Sequence, residues 1–158
     1  MKIVKSRFSP QQVILALFVL VLFLQAGAQT GSAGERRVIK LPGTENLPFS
    51  DGVIAGDTLY VAGQEGIDDN GKLVAGGIGP ESKATLARIE KIVREAGFEL
   101  KDIVSVTVYM ADIHDFPEMN VAYKSVMPDP KPARATVQVA ALINNARVEI
   151  SAIAVKRK

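Results

Sequence analysis

The stretch Lys131-Pro-Ala-Arg-Ala-Thr-Val-Gln-Val139 and the later Arg147-Val-Glu-Ile-Ser-Ala-Ile-Ala-Val155 decide the fold of this chain. In both segments apolar and polar residues alternate, which is the period-two pattern of a strand with one buried face. Each segment also places a charged residue on the predicted strand, Arg134 in the first and Glu149 in the second. Because strands hold their side chains rigidly, we interpret Arg134 and Glu149 as candidate site residues.

Arg134 and Glu149 also have a simpler interpretation as surface ion-pair residues, Glu149 with Arg147 or with Arg134 itself. Against this, Pro132 stiffens the start of the first strand, which favours a forked donor that grips a carboxylate with two hydrogen bonds. If a hairpin turns at Asn144-Asn145, Arg134 and Glu149 lie roughly 20 Å apart in one chain. Either another strand register applies, or the two charges meet across a subunit interface.

The sequence upstream predicts five further elements. They are strands at 53–55 and 58–62 around the turn pair Gly56-Asp57, a helix from Pro80 that Gly97 ends, a strand at 103–110, and a helix that starts at Asp115. The order strand, strand, helix, strand, helix, strand, strand predicts an α+β fold with one mixed sheet and two helices on one face.

The other face of the predicted sheet has no helix to cover it. It is expected to carry apolar or small residues such as Ala62, Ile153, and Val108 or Val106. A large exposed apolar patch usually marks an interface, so the pattern favours self-association.

Residues 1–28 have the features of a secretory signal peptide. Three basic residues precede the apolar run Val13–Leu24, and Ala26-Gly-Ala28 supplies small residues for cleavage after Ala28. The run holds 12 residues, whereas about 20 are needed to span a bilayer as a helix. We therefore expect a flexible lead-in at 29–37, a single domain at 38–158, no membrane anchor after cleavage, and a periplasmic or secreted location.

Charge and composition exclude several classes of function. The whole chain has a formal net charge of +2, but removal of residues 1–28 leaves 16 basic and 17 acidic residues, a net charge of −1. A nucleic-acid binder normally has a basic excess, so no nucleic-acid partner is expected. With no cysteine and His114 as the only histidine, neither a zinc site nor a thiol nucleophile nor a Ser-His triad is expected. We predict no metal and no cofactor.

Six segments of this chain resemble, in order and spacing, those of a known family. They are Pro48-Phe-Ser-Asp-Gly-Val53, Thr58-Leu-Tyr-Val-Ala-Gly-Gln-Glu-Gly66, Val104-Ser-Val-Thr-Val-Tyr-Met110, Asn120-Val-Ala-Tyr123, Lys131-Pro-Ala-Arg-Ala-Thr-Val137 and Val148-Glu-Ile-Ser-Ala-Ile-Ala154. The family is the RidA family, also known as YjgF, and the resemblance covers about residues 38–156.

The resemblance implies a chorismate-mutase-like fold, assembled as a homotrimer with ligand clefts between subunits. It implies hydrolysis of reactive enamines and imines, of the 2-aminoacrylate and 2-iminobutanoate type, to 2-keto acids and ammonia. By matching positions, Arg134 would hold the substrate carboxylate, Glu149 would activate water, and the remaining substrate-binding residues would be Gly63, Asn120, Thr136 and Phe49. Gly63 would act through its backbone N–H, the backbone around Thr136 would orient the imine nitrogen, and Asn120 would line the cleft.

Five positions depart from the pattern of the deaminase members. They are Phe49 for a tyrosine, Asp51 for a glutamine, Ala62 for a serine, Gln138 for a glutamate and Ser151 for a glutamate. The first removes a phenolic hydroxyl from the cleft and is expected to weaken substrate affinity or orientation. Arg134 and Glu149 are retained, so the minimal chemistry is expected to survive.

Three alternatives stay open from the sequence. The chain could bind small carboxylates without catalysis, which the missing hydroxyl and the exported location favour, since the usual substrates arise inside the cell. It could be an endoribonuclease, an activity attributed to some family members, although the net charge of −1 and the single histidine weigh against this. It could also serve as a protective, chaperone-like surface.

Overall fold

The computed structural model describes residues 36–156, which contain six strands, two α-helices and three short 3-10 turns. The bounds are β1 Arg37–Ile39, β2 Gly52–Ala55, β3 Thr58–Glu65, α1 Ile78–Glu95, β4 Ile103–Met110, α2 Phe116–Val126, β5 Ala133–Gln138 and β6 Val148–Val155. The predicted signal peptide at 1–28 and residues 29–35 of the predicted lead-in lie outside the described residues. From residue 36 to 156, no helix combines the length and apolarity needed to cross a membrane.

The strands form one mixed sheet in the order β1-β2-β3-β6-β4-β5. Neighbouring strands are antiparallel except β4 and β5, which run parallel. Parallel neighbours need a crossover connection, and α2 lies in the connection between these two strands. The predicted α+β class and element order are confirmed, with β1 as an additional strand that is too short to show an alternating pattern.

The hydrophobic core lies between the sheet and the two helices. The apolar stripe predicted for α1 is buried, with Leu86, Ile89 and Val93 at most 1% exposed. The helix ends as predicted, because Gly97 adopts a φ of +81° that favours glycine. The sheet contributes fully or nearly fully buried side chains from its three central strands, Leu59, Val61, Val106, Val108, Val148, Ile150, Ala152 and Ala154.

The β5 strand turns its polar side toward the helices. Arg134 pairs with Val106 and Thr136 pairs with Val108, and directly paired residues project from the same face of a sheet. Val106 and Val108 are 2% and 0% exposed, so this is the helix-covered face. The prediction that one of these valines lies on the open face is therefore wrong.

The open face instead carries the apolar side of β5. Ala135 and Val137 are exposed there, with Val137 at 44%. Ile153 also lies on this face, as predicted, and pairs with Tyr60, which is 50% exposed. An alternating pattern shows only that the two faces of a strand differ in polarity. In β5, the apolar face is the one that no helix covers.

The hairpin considered between the last two strands does not form, because β4 lies between β5 and β6. Asn144 and Asn145 do make a turn, with φ values of +57° and +58° that asparagine tolerates better than most residues. That turn sends the chain across β4 rather than back along β5. The β6 strand then pairs with β3 on one side and β4 on the other.

Candidate functional site

Arg134 lies at the edge strand of the sheet, against one side of α2. Its Nη2 donates a hydrogen bond to Oδ1 of Asn120 at 2.6 Å. Its guanidinium carbon lies 4.4 Å from the ring centroid of Tyr123 and 5.6 Å from that of Phe116. Two aromatic rings and an amide therefore hold the guanidinium in place through cation–π contacts and a hydrogen bond.

The guanidinium of Arg134 has no ionic partner among residues 36–156. The salt bridges within 4.0 Å in this part of the chain involve other cations, and Arg147 pairs with Asp115 rather than with Glu149. The interpretation of Arg134 and Glu149 as surface ion-pair residues is therefore wrong for this range. A partly buried guanidinium of this kind can bind an external carboxylate by donating two parallel hydrogen bonds to its oxygens.

Two hydroxyl groups without hydrogen-bond partners accompany Arg134. The buried hydroxyls of Tyr123 and Thr136 have no partner among residues 36–156. Burial raises the pKa of Tyr123, and the neighbouring Arg134 charge opposes this rise. Asn120, Arg134 and Thr136 were all predicted as site residues, and the structure brings them together at one edge of the sheet.

A second group of predicted residues lines a cavity of about 510 Å³ elsewhere on the molecule. Phe49, Gly63 and Glu149 line it, together with Leu47, Asp51, Ala62, Gln64, Glu65, Ile67, Arg88, Ile143 and Asn144. Phe49 is 51% exposed and has no hydroxyl to offer. It lines the same cavity as Gly63 and Glu149.

The Glu149 carboxylate packs directly against Gly63 at a β-bulge. The register of β3 against β6 shifts by one residue between Val61 and Gln64, so the bulge includes Gly63. A bulge leaves backbone groups of its extra residue outside the ladder, which suits the predicted role of the Gly63 N–H. A Cβ at position 63 would lie 1.8 Å from Oε1 of Glu149, so only glycine leaves room for this carboxylate.

Replacing Gly63 with alanine is expected to push the Glu149 carboxylate out of position and to abolish most activity while the fold persists. A misplacement of a catalytic group by about 1 Å can cost about a hundredfold in rate. The measurement is kcat beside a thermal melt. Ala62→Ser is the matched control, because it adds one atom at the neighbouring cavity position. Activity of Gly63→Ala equal to that of this control would contradict the role given to Gly63.

Glu65 is a cavity residue that the sequence reasoning missed. It pairs across the strands with Glu149, and its Oε2 accepts a hydrogen bond from Nδ2 of Asn144 at 3.1 Å. Burial raises the pKa of Glu65, the charges of Glu149 and Glu81 raise it further, and the Asn144 hydrogen bond opposes the rise. The sequence did contain one indication of this position. Glu65 lies two residues after Gly63, and residues two apart on a strand project from the same face.

The structure does not bring Arg134 and Glu149 together within one chain. Arg134 is level with Val106 of β4, whereas Glu149 is level with Tyr109, three residues further along. Two strand spacings across and three residues along place their Cα atoms about 14 Å apart. An odd residue offset also puts their side chains on opposite faces of the sheet.

The departures from the family pattern divide into structural and cavity positions. Asp51 is 2% exposed and accepts hydrogen bonds from the backbone N–H of Leu41 and the hydroxyl of Thr44, so it anchors the preceding loop. Gln138 accepts a hydrogen bond from the backbone N–H of Ile113. Ala62 faces the cavity. Ser151 pairs with Thr107 on the open face of the sheet.

Among residues 36–156, no group of three or more histidine, aspartate or glutamate side chains is arranged to hold a metal ion. His114 is 90% exposed in its side chain and contacts Asp112. The chain contains no cysteine.

The profile of the family described as Endoribonuclease L-PSP matches residues 42–156. The chain belongs to this family, the RidA family. Among RidA relatives, a human protein named 2-iminobutanoate/2-iminopropanoate deaminase is 42% identical over 125 residues, which cover 77% of this chain and 90% of the relative. A Bos taurus protein of the same name is 44% identical over 110 residues, which cover 69% of this chain and 80% of the relative.

Solved structures of RidA proteins resemble the fold. RidA from an Antarctic Psychrobacter bacterium has a TM-score of 0.67 and 33% identity, covering 75% of this chain and 94% of that one. The YjgF gene product of E. coli has a TM-score of 0.66 and 30% identity, covering 76% of this chain and 94% of that one.

Proposed function

We propose that this chain is a deaminase that hydrolyses small enamines and imines of 2-amino acids, of the 2-aminoacrylate and 2-iminobutanoate type, to 2-keto acids and ammonia. The observation that carries the proposal is Arg134, a guanidinium held by Tyr123 and Asn120 with no ionic partner in the described chain. Such a group binds a carboxylate, which every 2-imino acid has. Relatives named 2-iminobutanoate/2-iminopropanoate deaminase support the reaction.

In the proposed reaction, Arg134 and the Gly63 N–H hold the substrate carboxylate, and the backbone around Thr136 orients the imine nitrogen. Glu149 takes a proton from water as the oxygen bonds to C2 and the C=N electron pair moves to nitrogen. Return of that proton to nitrogen gives the neutral carbinolamine, with a hydroxyl and an amino group on C2. Transfer of the hydroxyl proton to nitrogen through Glu149 then allows the C–N bond to break, its electron pair leaves with ammonia, and the oxygen becomes the keto group. Proximity and one proton-transfer group suffice, because an imine is already electrophilic.

The test is release of ammonia and 2-keto acid from imines generated in place by an amino-acid oxidase, using residues 29–158. Accelerated release over buffer is the expected result. No acceleration, from a protein that is folded and binds a 2-keto acid through Arg134, would favour the alternative of a non-catalytic carboxylate-binding protein. This alternative is supported by Phe49, which lines the cavity but lacks the hydroxyl of the tyrosine that deaminase members have at this position. Cleavage of RNA is not favoured, because Asp51 and Glu149 line the cavity and would repel phosphates.

The proposal includes assembly as a homotrimer with each site at a subunit interface. Two observations support it. The open face of the sheet presents Tyr60, Val137 and Ile153 without a covering helix. Arg134 and Glu149 also project from opposite faces about 14 Å apart, so one chain cannot place both against one small substrate.

Subunit mixing tests the shared site. Arg134→Ala and Glu149→Gln chains are each expected to be nearly inactive alone, but co-expression should restore activity. In a cyclic trimer that contains both variants, about one third of the interfaces combine an intact Arg134 with an intact Glu149. The measurement is kcat per site in trimers purified through a different tag on each variant. Mixed trimers as inactive as the unmixed variants would contradict a shared site.

We also propose that residues 1–28 are removed on export and that the mature chain acts in the periplasm or outside the cell. The support is the sequence pattern alone. Intact mass of the chain from a periplasmic or secreted fraction tests this, with a start at Gln29 as the expected result.

A further inference from the structure

Glu65 and Glu149 form a pair of carboxyl groups inside the proposed site. They are direct cross-strand partners on β3 and β6 and line the same cavity. Direct partners in an antiparallel pair have Cβ atoms about 4.5–5.5 Å apart, so the two side chains are neighbours. Of these two carboxyl groups, only Glu149 transfers a proton in the proposed reaction.

The two oxygens of Glu65 have different surroundings. Its Oε2 accepts the hydrogen bond from Asn144. Its Oε1 is buried and has no partner among residues 36–156. A charged oxygen without water or a donor is costly. A proton on Oε1 removes that cost and creates a donor beside the Glu149 carboxylate.

The other charged groups around Glu65 do not neutralise it. Glu81 of α1 is 3% exposed and accepts hydrogen bonds from the backbone N–H groups of Arg147 and Val148. Asp51 lines the same cavity and adds negative charge. Arg88 of α1 also lines the cavity, but its Nε donates to Oε1 of Gln64. The surroundings of Glu65 therefore favour its neutral form.

We propose that Glu65 and Glu149 share one proton, and that protonated Glu65 donates a hydrogen bond that orients the Glu149 carboxylate as the base. Glu65 is thus a positioning residue of the site. Its catalytic consequence depends on the proposed deaminase function, whereas the shared proton does not. When the pair loses its second proton, the donor is lost and two negative charges face the anionic substrate, so kcat/KM is expected to fall on the alkaline side.

The direct test is a 13C NMR titration of the glutamate carboxyl carbons of the folded protein. In the wild type, the pKa of Glu65 is expected to lie above its ordinary value, because Glu65 is buried and faces Glu149. In Glu149→Gln the midpoint of Glu65 should move to lower pH, because the facing negative charge is gone. Glu95→Gln, on the exposed end of α1, is the control and should leave this midpoint unchanged. A Glu65 titration that is the same in the wild type and in Glu149→Gln would overturn the proposal.

Stability supplies a second readout without any substrate. Because the folded state raises the pKa of Glu65, the folded chain binds more protons than the unfolded chain between the unfolded and folded pKa values, and its contribution to stability falls as pH rises through that window. Glu65→Gln should therefore gain stability relative to the wild type as pH rises from acid to neutral. A difference in melting temperature that is constant with pH would count against the proposal.

Measurements of deaminase activity distinguish the proposed function of the chain from the proposed role of Glu65. Glu65→Gln keeps a donor and should lose the alkaline decline in kcat/KM, whereas Glu65→Met has no donor and should lower kcat at every pH. Coupled NMR titrations without deaminase activity would refute the proposed function and leave the shared proton standing. Deaminase activity with uncoupled titrations and an alkaline decline unchanged in Glu65→Gln would refute the role of Glu65 alone.

Discussion

Arg134→Ala is expected to lower kcat/KM for imine hydrolysis by roughly 30- to 1,000-fold, since losing one partner of a buried, hydrogen-bonded charge pair costs about 2–4 kcal/mol. The loss should fall mainly on KM, because the substrate carboxylate is bound in both the ground state and the transition state. The fold should survive, since the Arg134 side chain is only partly buried and has no ionic partner within 36–156. The measurement is initial rate against imine concentration.

Arg147→Ala is the matched control for this experiment. Arg147 lies in an exposed ion pair with Asp115 at 3.3 Å, and such pairs contribute about 0–1 kcal/mol to stability. Its removal should leave kcat/KM nearly unchanged. Added guanidinium ion should partly restore Arg134→Ala, because it can occupy the space between Tyr123 and the substrate. An Arg134→Ala enzyme with wild-type KM would show that another group binds the carboxylate.

Glu149→Gln is expected to lower kcat by about 10²–10⁴-fold, the usual contribution of a general base. KM should change little, because the amide has nearly the shape of the carboxylate beside Gly63 and only the ability to accept a proton is lost. The measurement is kcat from ammonia release, with 2-keto acid followed in parallel to confirm the stoichiometry.

Glu95→Gln controls for the loss of one negative charge, since Glu95 lies exposed in the last turn of α1. Binding of a 2-keto acid by Glu149→Gln should persist, which shows that its cavity is intact. A Glu149→Gln enzyme that kept more than about a tenth of wild-type kcat would assign water activation elsewhere, and Glu65 would be the first residue to examine.

Local sequence patterns determined the elements of this protein well. The β4 strand falls at the predicted residues, α1 begins and ends within two residues of prediction, and α2 begins one residue after its predicted start. These patterns are local, because period-two and helical spacing report which side of one element is apolar. The residues proposed for the site were also readable, since Arg134 and Glu149 are charged residues on otherwise strand-like segments.

The sequence could not assign the faces of β5 or the neighbours of β6. Alternation in β5 showed one polar and one apolar side, and the polar side with Arg134 turned out to contact α2. The apolar side with Val137 is exposed. Alternation shows only that the two sides of an edge strand differ in polarity, and it does not indicate which side meets the core of its own chain.

The sequence by itself determined the family and the element order from β2 onward, and it indicated Arg134, Gly63 and Glu149 as the residues proposed for the site. Tertiary structure alone decided that β6 inserts between β3 and β4, which makes Glu65 the neighbour of Glu149 and separates Arg134 from it. The physical reason is that strand pairing joins residues far apart in the chain. Their register depends on competing long-range contacts that no local pattern records.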